Sequence, residues 1–299
     1  MRMTVWALIL TLVSPACAEG LQIPWKGDYP HNGETIWSPD TKYHKSGLTK
    51  NFMNGAPEEG GRVQRDGMLQ AELLLPNGDK PAAFVILLHG CTGAKPPVFA
   101  RWAKRVADVL LDLRFGVLVL DSFTTRGVKS TCGSPNYHWG VRRVEDAYSA
   151  AQYLVDAKLA KPDDIFLIGR SNGALTAIMA TEDFEVRNHE HHFAATFAIS
   201  PTCLGLEKSK FASPFVVFIG DEDDAAVDIS ACSILADRTE ASTQVIQFKG
   251  VTHGYEDVGV ETIFHGWRMK YDADADNYTM ATIVQRLKYR DFQKGIERR

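Results

Sequence analysis

A serine between two glycines lies just past the middle of the chain, in the stretch Gly169-Arg170-Ser171-Asn172-Gly173. The stretch follows a short apolar run and precedes a segment with helical spacing. A serine on such a strand-to-helix turn can attack a carbonyl carbon, because small flanking residues permit the tight turn and the helix start stabilises negative charge. An ordinary turn is the alternative, and the placement between a strand and a helix favours the nucleophile.

An activated serine needs a base, and the base needs a carboxylate to orient it. Both residue types follow Ser171 in the order serine, acid, histidine. The acidic run 221–224 comes after one apolar segment and His253 comes after another. We predict His253 as the base and Asp223 as the acid, with Asp224 as the second choice. The competing interpretations are a surface histidine and a solvated acidic turn.

The reaction also needs donors for the oxyanion that forms on the attacked carbonyl. The loop "HGCTG" at 89–93 follows an early apolar strand and leaves its backbone open to a substrate. We predict the backbone N–H groups of Cys91 and Asn172 as these donors. His89 competes with His253 as the base, but it precedes the serine, so we assign it to bracing the loop.

The elements that must position these residues are short apolar strands alternating with helices. This alternation predicts an α/β fold, with a mostly parallel central sheet and helices on both faces. Ligand sites in such sheets lie at the carboxyl ends of the strands. The predicted strands are 82–90, 116–121, 164–169, 193–200, 214–220 and 243–250, after one or two antiparallel strands in 63–76. The predicted helices include 97–115, 137–156 and 277–292.

Several segments together resemble the dienelactone hydrolase family of α/β-hydrolases. They are "HGCTG", "LDSFTTRG", "GRSNG", "IGDEDD" and "GVTHGYED". The resemblance runs from about residue 62 to the final helix. It implies an α/β-hydrolase sheet that lacks its first strand or nearly so, and cleavage of an ester or lactone without a metal or cofactor. It carries Ser171, Asp223 and His253 over as the triad. The best-known members use cysteine as nucleophile, and the segment before residue 62 is outside the family's pattern.

Two arginines near the predicted site have two possible roles. Arg126 follows a strand, and Arg170 lies inside the glycine-flanked turn. Either guanidinium could bind a substrate carboxylate in bidentate fashion, or pair with an acid of the protein and hold its loop. The connections between elements are short, so we expect no large cap domain and an open site. The N-terminal arm and residues 124–140 would shade it.

Two other segments have the composition of metal sites but not the pattern. Three histidines lie in 187–193 without a recognisable ligand spacing. Acids alternate in 271–278, but Asn277 stands where a calcium loop needs glycine and Ile283 where it needs glutamate. We therefore predict no metal, and acids ahead of a helix N-terminus in the second segment.

The N-terminus is typical of a signal peptide. Arg2 precedes a short apolar run at 4–13, and A-C-A at 16–18 supplies a cleavage site near Ala18. The run is too short to span a bilayer, and a lipid anchor on Cys17 has a poor approach sequence. We predict export to the periplasm or the medium. The predicted organisation is a signal peptide at 1–18, a loop-rich arm at 19–60 and the hydrolase domain at 61–299.

The cysteines suit an exported protein. Removal of Cys17 leaves Cys91, Cys132, Cys203 and Cys232, which permit two disulfides in three pairings. We favour Cys91 with Cys132 and Cys203 with Cys232, because each pair flanks consecutive strand ends. Free buried thiols are the alternative.

The charge balance limits the classes of partner. A net charge of −4 and an isoelectric point near 6.1 do not indicate binding to nucleic acid or to an anionic membrane surface. We expect a small or extended ester as substrate. The oligomeric state is not predicted.

Overall fold

A computed structural model describes residues 21–26, 66–78, 81–132, 139–203, 205–206, 209–226, 228–238, 242–292 and 295–299. The predicted signal peptide at 1–18 and most of the predicted arm at 19–60 lie outside the described residues. No helix within these residues has both the length and the apolar character needed to cross a membrane.

The main sheet has nine strands in the order β1-β2-β4-β3-β5-β6-β7-β8-β11, and a separate hairpin consists of β9 and β10. Strands β1 and β2 are antiparallel to their neighbours, and the others run parallel. The strands are β1 Leu21–Lys26, β2 Asp66–Leu74, β3 Phe84–Leu88, β4 Gly116–Asp121, β5 Ile165–Arg170, β6 Ala195–Ile199, β7 Phe215–Gly220, β8 Thr243–Phe248, β9 Glu261–Phe264, β10 Trp267–Lys270 and β11 Gly295–Arg298.

Helices cover both faces of this sheet, which is why β3, β5, β6 and β7 are buried along their whole length. Helices α2, α3 and α5 pack on one face, and α1 and α6 pack on the other. The helices are α1 Pro97–Asp112, α2 Trp139–Asp156, α3 Asn172–Met179, α4 Asp183–Asn188, α5 Ser230–Arg238 and α6 Ala273–Tyr289. The predicted α/β class with a mostly parallel sheet is confirmed.

Both edges of the sheet differ from the expectation. The resemblance implied that the first strand was missing, but β1 pairs with β2 along its whole length. This strand comes from the segment interpreted as a loop-rich arm. Its Pro24 suits an edge position, because proline cannot donate to a ladder on both sides. At the other edge, β11 pairs with β8 and was not predicted, because only Ile296 in "GIER" is a strong strand former.

Two disulfides tie loops at the carboxyl edge of the sheet to neighbouring segments. Cys91 bonds to Cys132, and Cys203 bonds to Cys232, each with Cα atoms 5.0 Å apart. The favoured pairing is therefore confirmed. The first bond connects the loop after β3 to the segment that follows β4, and the second connects the loop after β6 to α5.

Candidate active site

The turn between β5 and α3 holds Ser171 in a conformation that L residues rarely adopt, with φ 51° and ψ −121°. The glycines around it are required by close backbone contacts. A Cβ on Gly169 would lie 2.1 Å from the carbonyl oxygen of Gly173, and a Cβ on Gly173 would lie 2.4 Å from that of His89. The chain can therefore form this turn only with small residues on both sides of the serine.

Ser171, His253 and Asp223 form a continuous chain of contacts at the carboxyl edge of the sheet. Ser171 Oγ lies 3.1 Å from His253 Nε2. His253 Nδ1 lies 2.9 Å from both carboxylate oxygens of Asp223. The carboxylate also accepts the backbone N–H groups of Ala225 and Ala226 at 3.1 Å. This arrangement lets a neutral imidazole accept the serine proton on Nε2 while Asp223 fixes the proton on Nδ1.

The electrostatic surroundings of His253 favour its protonated form. Burial lowers the pKa of His253, but the charge and hydrogen bond of Asp223, together with the charge of Glu256, outweigh burial and raise this pKa above its ordinary value. Arg170 acts in the opposite direction. A base with a raised pKa binds the serine proton more firmly during attack.

The rest of the acidic run has other contacts. Asp224 accepts the backbone N–H of Arg268 at 3.0 Å, and Glu222 pairs with the Arg268 guanidinium. Asp221 accepts a backbone N–H from the loop before His253. Asp223, the first choice from the sequence, is the acid of this run that contacts the imidazole.

The loop after β3 lies directly against the serine. A Cβ on Gly90 would lie 3.3 Å from the Cβ of Ser171. The next residue, Cys91, is held by its disulfide to Cys132 and by a 2.8 Å bond from the N–H of Thr131 to its carbonyl oxygen. The predicted oxyanion donor at Cys91 is therefore on an anchored segment beside Ser171.

A buried arginine that the sequence analysis missed joins the two predicted donor segments. Arg143 of α2 donates to Asn172 Oδ1 at 2.9 Å and to the carbonyl oxygen of His89 at 2.7 Å. His89 Nε2 accepts the N–H of Ser122 at 3.2 Å, and its Nδ1 lies 2.7 Å from the carbonyl oxygen of Gly90. Burial lowers the pKa of His89. This histidine is a neutral brace of the loop.

Both candidate substrate-binding arginines are paired with acids of the protein. Arg126 makes two 2.7 Å bonds to the fully buried carboxylate of Asp146 on α2, and it does not line the cavity at the serine. Arg170 lines that cavity, but it makes two 2.6 Å bonds to Asp257 and lies 3.0 Å from Glu256. Both guanidinium groups thus make the contacts expected of an arginine that holds its loop.

Comparison with solved structures relates this arrangement to known proteins. A protein assigned as a dienelactone hydrolase from Klebsiella pneumoniae superposes with a TM-score of 0.54 at 10% identity, over 75% of this chain and 94% of that one. The dienelactone hydrolase from Anabaena variabilis gives 0.51 at 15%, over 73% and 90%. Est1E from Butyrivibrio proteoclasticus, solved with ferulic acid, gives 0.51 at 17%, over 74% and 95%. This chain has the α/β-hydrolase fold.

Sequence comparison finds that part of this chain matches one known protein family. The prolyl oligopeptidase family matches residues 133–211, a segment that includes Ser171 but neither Asp223 nor His253. No curated protein sequence matches the chain significantly.

The cavity beside Ser171 has a wall that was not expected from the sequence. A cavity of about 240 Å³ lies beside Ser171 and His253. One side is the hairpin of β9 and β10, whose paired residues alternate between the cavity and solvent. The opposite side is the start of α1 with Val98 and Phe99. The hairpin side chains that line the cavity are Thr262, Phe264, Trp267 and Met269.

A local signal for this hairpin exists in the sequence. His265 and Gly266 have φ of 53° and 88°, and a two-residue turn with positive φ at both positions is the favoured connection of a β-hairpin. The flanking residues in "WRMK" alternate in polarity, whereas those in "ETIF" do not. The connection after β8 is thus longer than the short links assumed from the sequence.

The acid-rich segment at 271–278 has a structural role. Asp272 caps α6 by accepting the N–H of Ala275 at 2.9 Å. Asp276 bonds to Arg105 at 3.0 Å. The helix begins at Ala273, four residues before the predicted start, so Asp274 and Asp276 lie in its first turn rather than ahead of it.

Proposed function

We propose that this protein is a serine hydrolase that cleaves carboxylic ester or lactone bonds through an acyl-enzyme. The observation that carries the proposal is the chain of contacts from Ser171 Oγ through His253 to Asp223, open to a cavity. Likeness to dienelactone hydrolases and esterases in fold agrees with this reaction class.

The proposed reaction has two steps. Ser171 Oγ attacks the ester carbonyl while His253 Nε2 takes its proton, and the backbone N–H groups of Cys91 and Asn172 stabilise the oxyanion. His253 then returns the proton to the leaving alkoxide, and the C–O bond to the alcohol breaks. Water attacks the acyl-enzyme with His253 again as the base, which releases the acid and restores Ser171.

The cavity favours an uncharged apolar or aromatic group on the substrate. Its hairpin wall presents Phe264 and Trp267, and the Trp267 ring lies 6.2 Å from that of His253. The cation within reach, Arg170, is neutralised by Asp257 and Glu256. A substrate carboxylate would have to displace these acids. The ferulic acid bound to Est1E is consistent with an aromatic acyl group on this fold.

The test is labelling with a fluorophosphonate probe at neutral pH. We expect wild type to be labelled and Ser171→Ala to be unlabelled, because the probe reacts with an activated serine. Trp267→Ala should raise KM for methyl ferulate more than for p-nitrophenyl acetate. Absence of label on folded wild type would reject the hydrolase and favour a binding protein on the same fold.

A peptidase is the second candidate, because the prolyl oligopeptidase family matches residues 133–211. Cleavage of peptide p-nitroanilides by wild type, but not by Ser171→Ala, would favour it. The esterase would be favoured if p-nitrophenyl esters turn over faster than matched p-nitroanilides. The factor must exceed the intrinsic difference in reactivity between the two substrates.

We also propose that the protein is exported and cleaved near Ala18. The two disulfides support an oxidising compartment, and the N-terminal pattern supports a signal peptide. The intact mass of protein recovered from the expressing cell's envelope or medium tests this. A mass that retains Arg2 would refute the cleavage.

A further inference from the structure

A second cluster of titratable side chains lies apart from the residues that line the cavity. Glu145 belongs to α2, Glu185 to α4, and His189 follows the end of α4. One possible ligand atom from each of the three residues lies within 4.8 Å of the other two. Because Glu145 precedes His189 by 44 positions, the histidine spacing in 187–193 could not reveal this grouping.

The imidazole of His189 is oriented as a metal ligand usually is. Its Nδ1 lies 2.8 Å from the carbonyl oxygen of Glu185, which can only accept, so Nδ1 carries the proton. The ring stacks on Tyr148 with centroids 3.6 Å apart. Metal-bound histidines commonly donate their other N–H to a carbonyl in this way, which leaves the Nε2 lone pair directed at Glu145 Oε2, 3.3 Å away.

The distance between two of the ligand atoms fits a bound ion. His189 Nε2 lies 3.3 Å from Glu145 Oε2, which is longer than the ~2.7–2.9 Å typical of a charge-assisted hydrogen bond. Two ligand atoms at about 2.05 Å from a tetrahedral zinc ion lie about 3.3 Å apart. The separation therefore matches a shared cation.

Glu185 supplies the third ligand, and its Oε2 lies 3.9 Å from His189 Nδ1, beyond hydrogen-bond distance. Its side chain is 2% exposed, and its Oε2 has no hydrogen-bond partner among the described residues. A buried carboxyl of this kind is costly unless a cation or donor satisfies it.

We propose that Glu145, Glu185 and His189 bind one divalent transition-metal ion of the Zn²⁺ type, with water in the remaining position. Mixed imidazole and carboxylate ligands suit zinc. Glu145 and His189 are 25% and 18% exposed, so an ion can enter from solvent. The ion would hold α4 against α2, and the site is independent of the proposed hydrolase.

The test uses the whole mature chain after treatment with EDTA, titrated with ZnCl₂ by calorimetry and followed by thermal unfolding. We expect one ion per chain and a rise in Tm. Glu185→Gln should weaken binding by more than about 100-fold, since losing a direct ligand exceeds the roughly 10–100-fold effect of outer partners. Glu190→Gln and His192→Ala change exposed neighbours and should bind as wild type.

Two controls keep the test decisive. Glu185→Gln should fold in EDTA with a Tm at least equal to that of wild type, because it removes a buried carboxyl. Ser171→Ala should bind zinc normally, which separates this proposal from the hydrolase. Absence of heat and of a Tm rise in wild type would mean that the cluster holds protons or water only. Equal binding by Glu185→Gln would mean an adventitious ion only, and either result overturns the proposal.

Discussion

The ion cluster around Arg170 gives the sharpest test of how this site is positioned. Arg170 directly precedes Ser171, and its partners Glu256 and Asp257 follow His253 by three and four positions. The three side chains are 9%, 2% and 1% exposed. The cluster therefore fastens the turn that carries Ser171 to the loop that carries His253, and we interpret Arg170 as a positioning residue.

The size of the expected loss of stability follows from the burial of these three side chains. Removing one partner of a buried ion pair costs about 3–5 kcal/mol, because an uncompensated charge remains. In Arg170→Met we expect a loss of stability in that range and a drop of about 100-fold in the fluorophosphonate labelling rate, since a 1 Å misplacement can cost that much. Arg170 lowers the pKa of His253, so its removal should also move the acid limb of the pH–rate profile to higher pH.

Urea unfolding and labelling kinetics across pH measure these effects, with Arg286→Met as the matched control. Arg286 is a buried arginine of α6 that bonds to Gln244 and to the carbonyl oxygen of Asp291. We expect the control to lose stability but to be labelled at the wild-type rate and with an unshifted profile. If Arg170→Met, once folded, is labelled as fast as the control with the same profile, the positioning role is refuted.

Three further predictions concern the same site. Asp223→Asn should lower kcat by about 10⁴-fold and move the acid limb of the profile to lower pH, because Asp223 raises the pKa of the His253 base, which must be neutral to act. Cys91→Ser should cost about 4 kcal/mol in urea unfolding, from the 41-residue separation that its disulfide closes; an unchanged midpoint would contradict this. Arg268→Ala should raise KM for aromatic esters with little change in stability, whereas Lys270→Ala on the same strand should leave that KM unchanged.

The sequence predicts the centre of this molecule better than its edges. Strands β3, β5 and β7 are continuous apolar runs because helices bury both of their faces, and a local pattern carries that information. The order of Ser171 and His253 at strand ends was equally readable, since parallel strands bring those ends to one edge. Edge strands such as β1 and β11 depend on pairing with a distant segment, and short, polar sequences do not disclose such a pairing.

The contacts that complete the site also join residues that lie far apart in the sequence. Arg143 is fully buried and holds both predicted oxyanion segments, yet in the sequence it is one of two adjacent arginines in a polar helix. Its partners are 29 and 54 positions away. No spacing rule connects such residues, so only the folded chain shows which arginine serves the site.

The hairpin of β9 and β10 is hydrogen-bonded to the loop that carries Asp223. This contact bears on the substrate specificity that we propose. Arg268 of β10 contacts Glu222 and Asp224, the residues on either side of Asp223. The hairpin also meets the base through the bridge between His253 and Met269. The ion pair of Arg268 with Glu222 is exposed, and exposed pairs contribute little to stability. Their effect is geometric, because a substrate that displaces the hairpin also pulls on the loops of the acid and the base. We therefore expect recognition of the substrate's apolar group to be coupled to alignment of the proposed triad.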